Sequence, residues 1–214
     1  MNVVLDPVEV RVLGSLIEKD LTTPDYYPLT LGSLTAACNQ KSNRDPVMSL
    51  GEGEVQTAID TLARKNLAWE KGSAGGRVPR YAHKLAGTLT RAYDFSRQEL
   101  GVLAVLMLRG PQTPGELRAR APRACELDGL EAVEATLRGL AERENGPFVV
   151  ELPREPGRRE RRFAQLFGGP VEVSAAPPQA ESAHLSLAER VSALEAQVAQ
   201  LAAEVAALRG DVPP

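Results

Sequence analysis

Apolar residues return at helical spacing in three places along the first half of the chain and in three matching places along the second. Val12, Leu13, Leu16 and Ile17 predict a first helix that buries one face and runs to about Lys19. Leu100, Leu103, Leu106 and Met107 predict its counterpart, which stops at Gly110 and Pro111. Short second helices follow at Thr30 to Leu34 and at Thr113 to Leu117, each opened by a threonine. Third helices are marked by Val55, Ile59, Leu62 and Ala63, and by Val133, Leu137, Leu140 and Ala141.

The helix starts carry the same device in both halves. Asp6, Pro7 and Glu9 read as N-cap, first helical residue and capping-box partner, with Leu5 against Val10 as a hydrophobic staple. Ser96, Glu99, Phe95 and Leu100 repeat that arrangement ninety residues on. For the third helices the expected caps are Ser49 with Glu52 and Asp128 with Glu131. The offsets between the halves shrink from 90 to 83 to 78 residues, so helices are kept while loops shorten, as in a duplicated module.

Each third helix is followed by two strand-like runs around a Gly- or Pro-marked turn. Residues 67–70 lead through Gly72 and Gly76 into residues 78–83, and residues 148–152 lead through Pro156 and Gly157 into residues 161–166. Three helices and a hairpin is the order of a winged helix-turn-helix. The expected fold is therefore mainly α with small β-hairpin wings (α+β): winged domains at 1–88 and 89–168, a linker at 169–184, and a coiled-coil helix at 185–210.

That last element rests on its own pattern. Leu187, Val191, Leu194, Val198, Leu201, Val205 and Leu208 alternate four- and three-residue steps, placing valines at a and leucines at d, the choice that favours a parallel two-stranded coil. Arg190 then meets Glu195 and Glu204 meets Arg209 across the dimer, opposite in sign each time. An amphipathic helix folded back on its own domains is the alternative. A linker rich in Gly, Pro, Ala and Ser precedes it.

Composition narrows the function classes. Lys and Arg number 25 against 28 Asp and Glu, a formal net charge of -3, so any nucleic-acid contact must come from local patches. Residues 168–214 account for -4 of this, leaving the preceding residues at +1. Two cysteines, Cys38 and Cys125, and two histidines, His83 and His184, lie far apart, which supports neither a metal cluster nor a disulfide framework. With no signal-peptide pattern and no run of 18 apolar residues, the expectation is a cytoplasmic protein with no membrane segment, metal or cofactor.

The runs LIEKDLTTPDYYPLTL and ACNQKSNRDPVMSL, with RGPQTPGELRARA and NGPFVVELPREPGRRE farther on, resemble the YceH family of uncharacterised bacterial proteins over residues 5–168. The resemblance implies paired winged-helix-like domains and supplies no activity or site residue.

No catalytic constellation stands out, and the chain is read as not an enzyme. Glu9 and Glu99 serve as box residues, Cys38 as a small core hydrophobe, and the glycines near Gly72 as a turn rather than a phosphate loop. Winged helices that bind DNA place the third helix in the groove and the wing on the backbone. The expected phosphate-contact set is Lys41, Asn43, Arg44, Arg64, Lys65, Arg77, Arg80 and Lys84 in the first module, with Arg158, Arg159 and Arg161 in the second wing. Against it, Glu52, Glu54 and Asp60 occupy the first third helix, and Glu131, Glu134, Glu142 and Glu144 stand against Arg138 and Arg143 on the second. Two functions follow. The first is a DNA-associated, regulator-like homodimer contacting double-stranded DNA mainly through phosphates; the alternative is a protein-interaction scaffold whose winged helices dock a protein partner.

Overall fold

The computed structural model describes residues 3–72, 78–87, 93–154 and 160–170. They form two successive modules of three helices and a hairpin: α1 (Pro7–Thr22), α2 (Leu31–Cys38), α3 (Glu52–Arg64), β1 (Ala68–Glu70) and β2 (Tyr81–His83), then α4 (Arg97–Arg109), α5 (Pro114–Arg120), α6 (Leu130–Glu142), β3 (Val149–Glu151) and β4 (Phe163–Gln165). The class is α+β, helical with two small antiparallel sheets. No helix among the described residues is long and apolar enough to cross a membrane.

The first two helices of each module start where their side chains direct. Asp6 accepts from the Val8 and Glu9 amides while Glu9 returns a carboxylate oxygen to the Asp6 N–H, which satisfies three otherwise orphaned donors. Ser96 with Glu99 and Thr113 with Glu116 do the same for α4 and α5, and Thr30 alone caps α2. The third helices start later than their expected caps. Gly51, not Ser49, precedes α3, because Asn39 pairs through its side-chain amide with both backbone groups of Leu50 and holds the chain extended there. Gly129, at a φ of 107°, precedes α6 in place of Asp128, since that backbone turn suits a residue without Cβ.

A residue outside the hairpins completes each sheet. Leu29 bridges to Tyr81, and Gln112 bridges to Phe163, each immediately before the threonine that caps the second helix. Two further bonds tie the modules end to end. Phe95 N–H donates to Leu85 O at 3.1 Å, and Leu5 N–H donates to Phe167 O at 2.7 Å, so the start of each module is fastened to the end of the other. These positions correspond under the duplication.

Helices α1 and α4 pack against each other as well as against their own modules, and one core runs through both. That double packing corrects the one-faced reading of α1: every residue from Glu9 to Ile17 is buried, and so is every residue from Leu100 to Leu108 in α4. The crossing is close because Gly14 presents no side chain; a Cβ there would lie 2.9 Å from Met107 Cβ. Around the end of the second module, Phe148 meets Phe95 edge-on at 4.9 Å and Tyr93 at 5.0 Å, with Phe167 stacked at 5.6 Å.

Candidate functional site

The chemistry expected of a site gathers in the segment between α2 and α3, residues 39–51, and on the outward faces of the third helices. The segment is long for a turn between two packed helices, and its own Arg44 together with side chains from α1 and α4 holds it. Arg11, 2% exposed on α1, donates to Cys38 O at 3.0 Å and to Pro46 O at 2.6 Å. Burial, and after it the nearby Arg44, holds the Arg11 pKa below the ordinary guanidinium value. From the far side, Asp45 N–H donates to Leu108 O, and Arg109 donates to Asn43 Oδ1 at 2.6 Å. Helix α4 of the second module thus anchors a loop of the first.

Arg44 is the principal correction. Expected on the surface as a phosphate contact, it is 6% exposed and its guanidinium is fully inside. It forms a two-pronged pair with Glu18, at 3.0 and 2.6 Å, and also donates to Ala37 O, Asn43 O and Gln40 Oε1. Its partner Glu18 lies 26 residues away on α1, so local sequence gives no sign of the pairing.

Most of the remaining expected cations are engaged by neighbours. Lys65 bonds Glu9 at 2.7 Å and Val4 O at 2.9 Å; Lys84 bonds Asn66; Arg64 bonds Thr61; and Arg161 pairs with Glu151 at 3.1 Å. Arg80 is exposed but donates to Pro28 O at 2.8 Å, fastening the hairpin to the segment before α2. Lys41 is exposed, as is Asn43. Arg77, Arg158 and Arg159 lie outside the described residues, as do the expected dimerisation residues Leu187, Val191, Leu194, Val198, Leu201, Val205 and Leu208.

The third helices show the same charge bias in both modules. In α3 the residues Glu52, Glu54, Asp60 and Arg64 are exposed, three carboxylates to one guanidinium. In α6 Glu131, Glu142 and Arg138 are exposed and Glu134 is half-buried, the same ratio. The buried groups offer little chemistry beside this. Burial pushes the Cys38 and Cys125 thiols up, which keeps them protonated and poor as nucleophiles. His83 accepts the Leu85 N–H at Nδ1 and faces Asp20 through Nε2 at 3.2 Å. Tyr27, whose hydroxyl accepts the His83 N–H, is pushed up in pKa by burial. No group of three or more metal-ligating side chains occurs among the described residues.

The modules differ in the groove between third helix and hairpin. In the first, Tyr81 on β2 is buried and donates its hydroxyl to Gln56 on α3 at 3.1 Å, bridging the two elements. In the second, Phe163 takes the place of Tyr81 and Glu134 that of Gln56. There a groove of about 230 Å³ opens, with Pro114, Leu137, Ala141 and Phe163 as its apolar lining and Glu134, Arg138, Glu151 and Arg161 along its rim.

A family model described as "Protein of unknown function, DUF480" matches residues 5–158, nearly the stretch over which the sequence resembles the YceH family. The UPF0502 protein of Geobacter sulfurreducens is 55% identical over 208 residues, covering 94% of this chain and 91% of that protein. The UPF0502 protein of Aeromonas hydrophila is 48% identical over 207 residues, covering 96% and 94%. One from Aliivibrio fischeri is 47% identical over 206 residues, covering 96% and 95%.

Proposed function

The chain belongs to the DUF480 family, described only as of unknown function, and we propose that it is a docking module built from two winged helices, recognising a protein partner rather than reading DNA bases. One observation carries this reading: both third helices carry three carboxylates to one guanidinium at exposed or half-buried positions. In a major groove those carboxylates would approach phosphates, and few groups suited to base edges remain. Fold alone decides nothing here, because winged helices host both uses. The protein is not an enzyme on this reading, and it needs no cofactor.

The second reading, a DNA-associated regulator-like protein bound mainly through phosphates, keeps support from the exposed Lys41, Arg64 and Arg80 of the first module. Binding of the full chain to mixed genomic DNA fragments at two salt concentrations separates the two. Docking predicts no measurable binding at low salt. Binding whose logarithm falls by about 0.9 per log unit of salt for each phosphate contacted, with a slope flattened by Lys41→Ala and Arg80→Ala, would overturn it.

In either role the heptad run at 187–208 makes the protein a parallel homodimer. Sedimentation of the full chain is expected to give twice the 23.0 kDa chain mass, and Leu194→Asp with Leu201→Asp to give a monomer. A wild-type monomer, or a double variant that keeps the dimer mass, would reject the assignment.

A further inference from the structure

The two modules meet around a small cleft where α1 and α4 end. Glu18 and Thr22 of α1, Asn43 of the segment between α2 and α3, Arg109 of α4 and Arg120 of α5 surround about 110 Å³ of open space. Clefts that lodge a drug-sized ligand run to roughly 300 to 1,000 Å³, so this one admits a single chemical group. Its rim is reachable, since Thr22, Asn43 and Arg120 are exposed and Arg109 is half-buried. Val105 and Leu108 in its floor are buried, and an apolar floor strengthens the electrostatic contacts made above it.

Charge selects the group. Among the described lining residues Glu18 is the one carboxylate, and it is already met by Arg44 through two bonds and by Lys19 at 3.4 Å. Arg120 pairs with Glu116 at 3.2 Å and bonds Gln112. Arg109 has no carboxylate partner among the described residues; its guanidinium donates to the neutral Asn43 Oδ1 at 2.6 Å. A guanidinium carries five N–H donors, so both arginines keep some unused. Helix C-termini disfavour an anion, but carbonyls at these ends are occupied, Lys19 O by the Thr23 N–H and hydroxyl and Leu108 O by the Asp45 N–H. Positive charge is therefore left unmet in the cleft.

We infer that this cleft binds the phosphate group of a small molecule, held between the Arg109 and Arg120 guanidiniums. Phosphate suits two guanidinium forks because its charge is spread over several oxygens, whereas one carboxylate fills a single fork. Because the lining comes from both modules, an occupant fastens one to the other. The site goes beyond the docking reading, which concerns the outward faces of α3 and α6, and it stands or falls separately.

Thermal unfolding of the full chain in sodium phosphate, against sodium chloride at matched ionic strength, provides the test. The midpoint is expected to rise saturably, by about 3 to 6 °C when phosphate stands tenfold above its dissociation constant. Asn43→Asp sets a carboxylate against Arg109 in a side chain of the same shape, at a φ of 57° that aspartate also adopts. The fold should stand while the response to phosphate vanishes. Arg109→Gln, which removes the charge and keeps a donor toward Asn43, should lose the response as well. Arg138→Ala, on α6 outside the cleft lining, should keep it.

Glycerol phosphate beside inorganic phosphate separates the sources. A response at least as large identifies a phosphate monoester, a response to inorganic phosphate alone identifies the free ion, and either supports the site. No saturable rise with either probe, an equal rise with acetate, or a rise that survives in Asn43→Asp as a general salt effect would overturn it.

Discussion

Arg44→Ala is expected to destabilise the protein by about 3 to 5 kcal/mol, the range for removing one partner of a buried ion pair. The substitution strands Glu18, leaves the Ala37 carbonyl without two donors, and removes the bonds to Asn43 O and Gln40 Oε1 that hold the loop together. At roughly 2 to 4 °C per kcal/mol for a chain of this size, the thermal midpoint should fall on the order of 10 °C. Arg44→Lys should recover only part of this, because an ammonium cannot present the planar fork that meets both Glu18 oxygens. A phosphate-contacting surface arginine behaves differently: its loss leaves stability within about 0.5 kcal/mol and weakens DNA binding. Thermal unfolding of the two variants beside wild type decides between the roles, and an unchanged midpoint for Arg44→Ala would return the residue to the surface.

The same residue shows where local sequence stops being informative. Caps are readable because their partners lie two or three residues apart, and Asp6 with Glu9, Ser96 with Glu99 and the two threonines all act as their spacing indicates. The start of α3 departs from its expected cap because a distant contact intervenes. Asn39 reaches eleven residues along the chain to fix Leu50 and so moves the start of α3 to Glu52. Leu29 and Gln112 each contribute a single bridging residue to a sheet, too short a segment to show a period of two. Their symmetry emerges only once Tyr81 and Phe163 are seen opposite them.

Charge on the third helices was legible from composition, whereas the fate of the cations was not. A lysine or arginine in a loop reads as solvent-facing, yet Lys65, Lys84 and Arg161 each find a neighbour, and Arg44 is drawn inside. Nor does the sequence distinguish the two grooves unaided. Tyr81 and Phe163 look interchangeable as aromatic strand residues; the difference lies in one hydroxyl and the residue it meets, 25 positions away. The weight of the functional reading therefore shifted from basic wings toward acidic helices.

Gly14→Leu is expected to cost about 3 kcal/mol or more, the upper part of the range for overpacking an interior. Glycine in a helix interior ordinarily weakens it by about 1 kcal/mol relative to alanine, so replacing it gains propensity and the packing term must outweigh that gain. At this position it does. A Cβ would meet Met107 Cβ at 2.9 Å and Leu108 Cγ and Cδ2 at 3.1 Å, contacts that close-packed side chains near the α4 backbone relieve only by moving the helix. Because α1 and α4 each also pack within their own module, separating them disturbs both halves of the core. Gly139 on α6 supplies the contrast, since a Cβ there meets nothing within 4 Å, and Gly139→Ala should stabilise by about 0.4 to 1 kcal/mol. Opposite shifts in denaturant midpoint for the two variants follow from the α1–α4 crossing, and a wild-type midpoint for Gly14→Leu would mean that the two helices do not approach so closely.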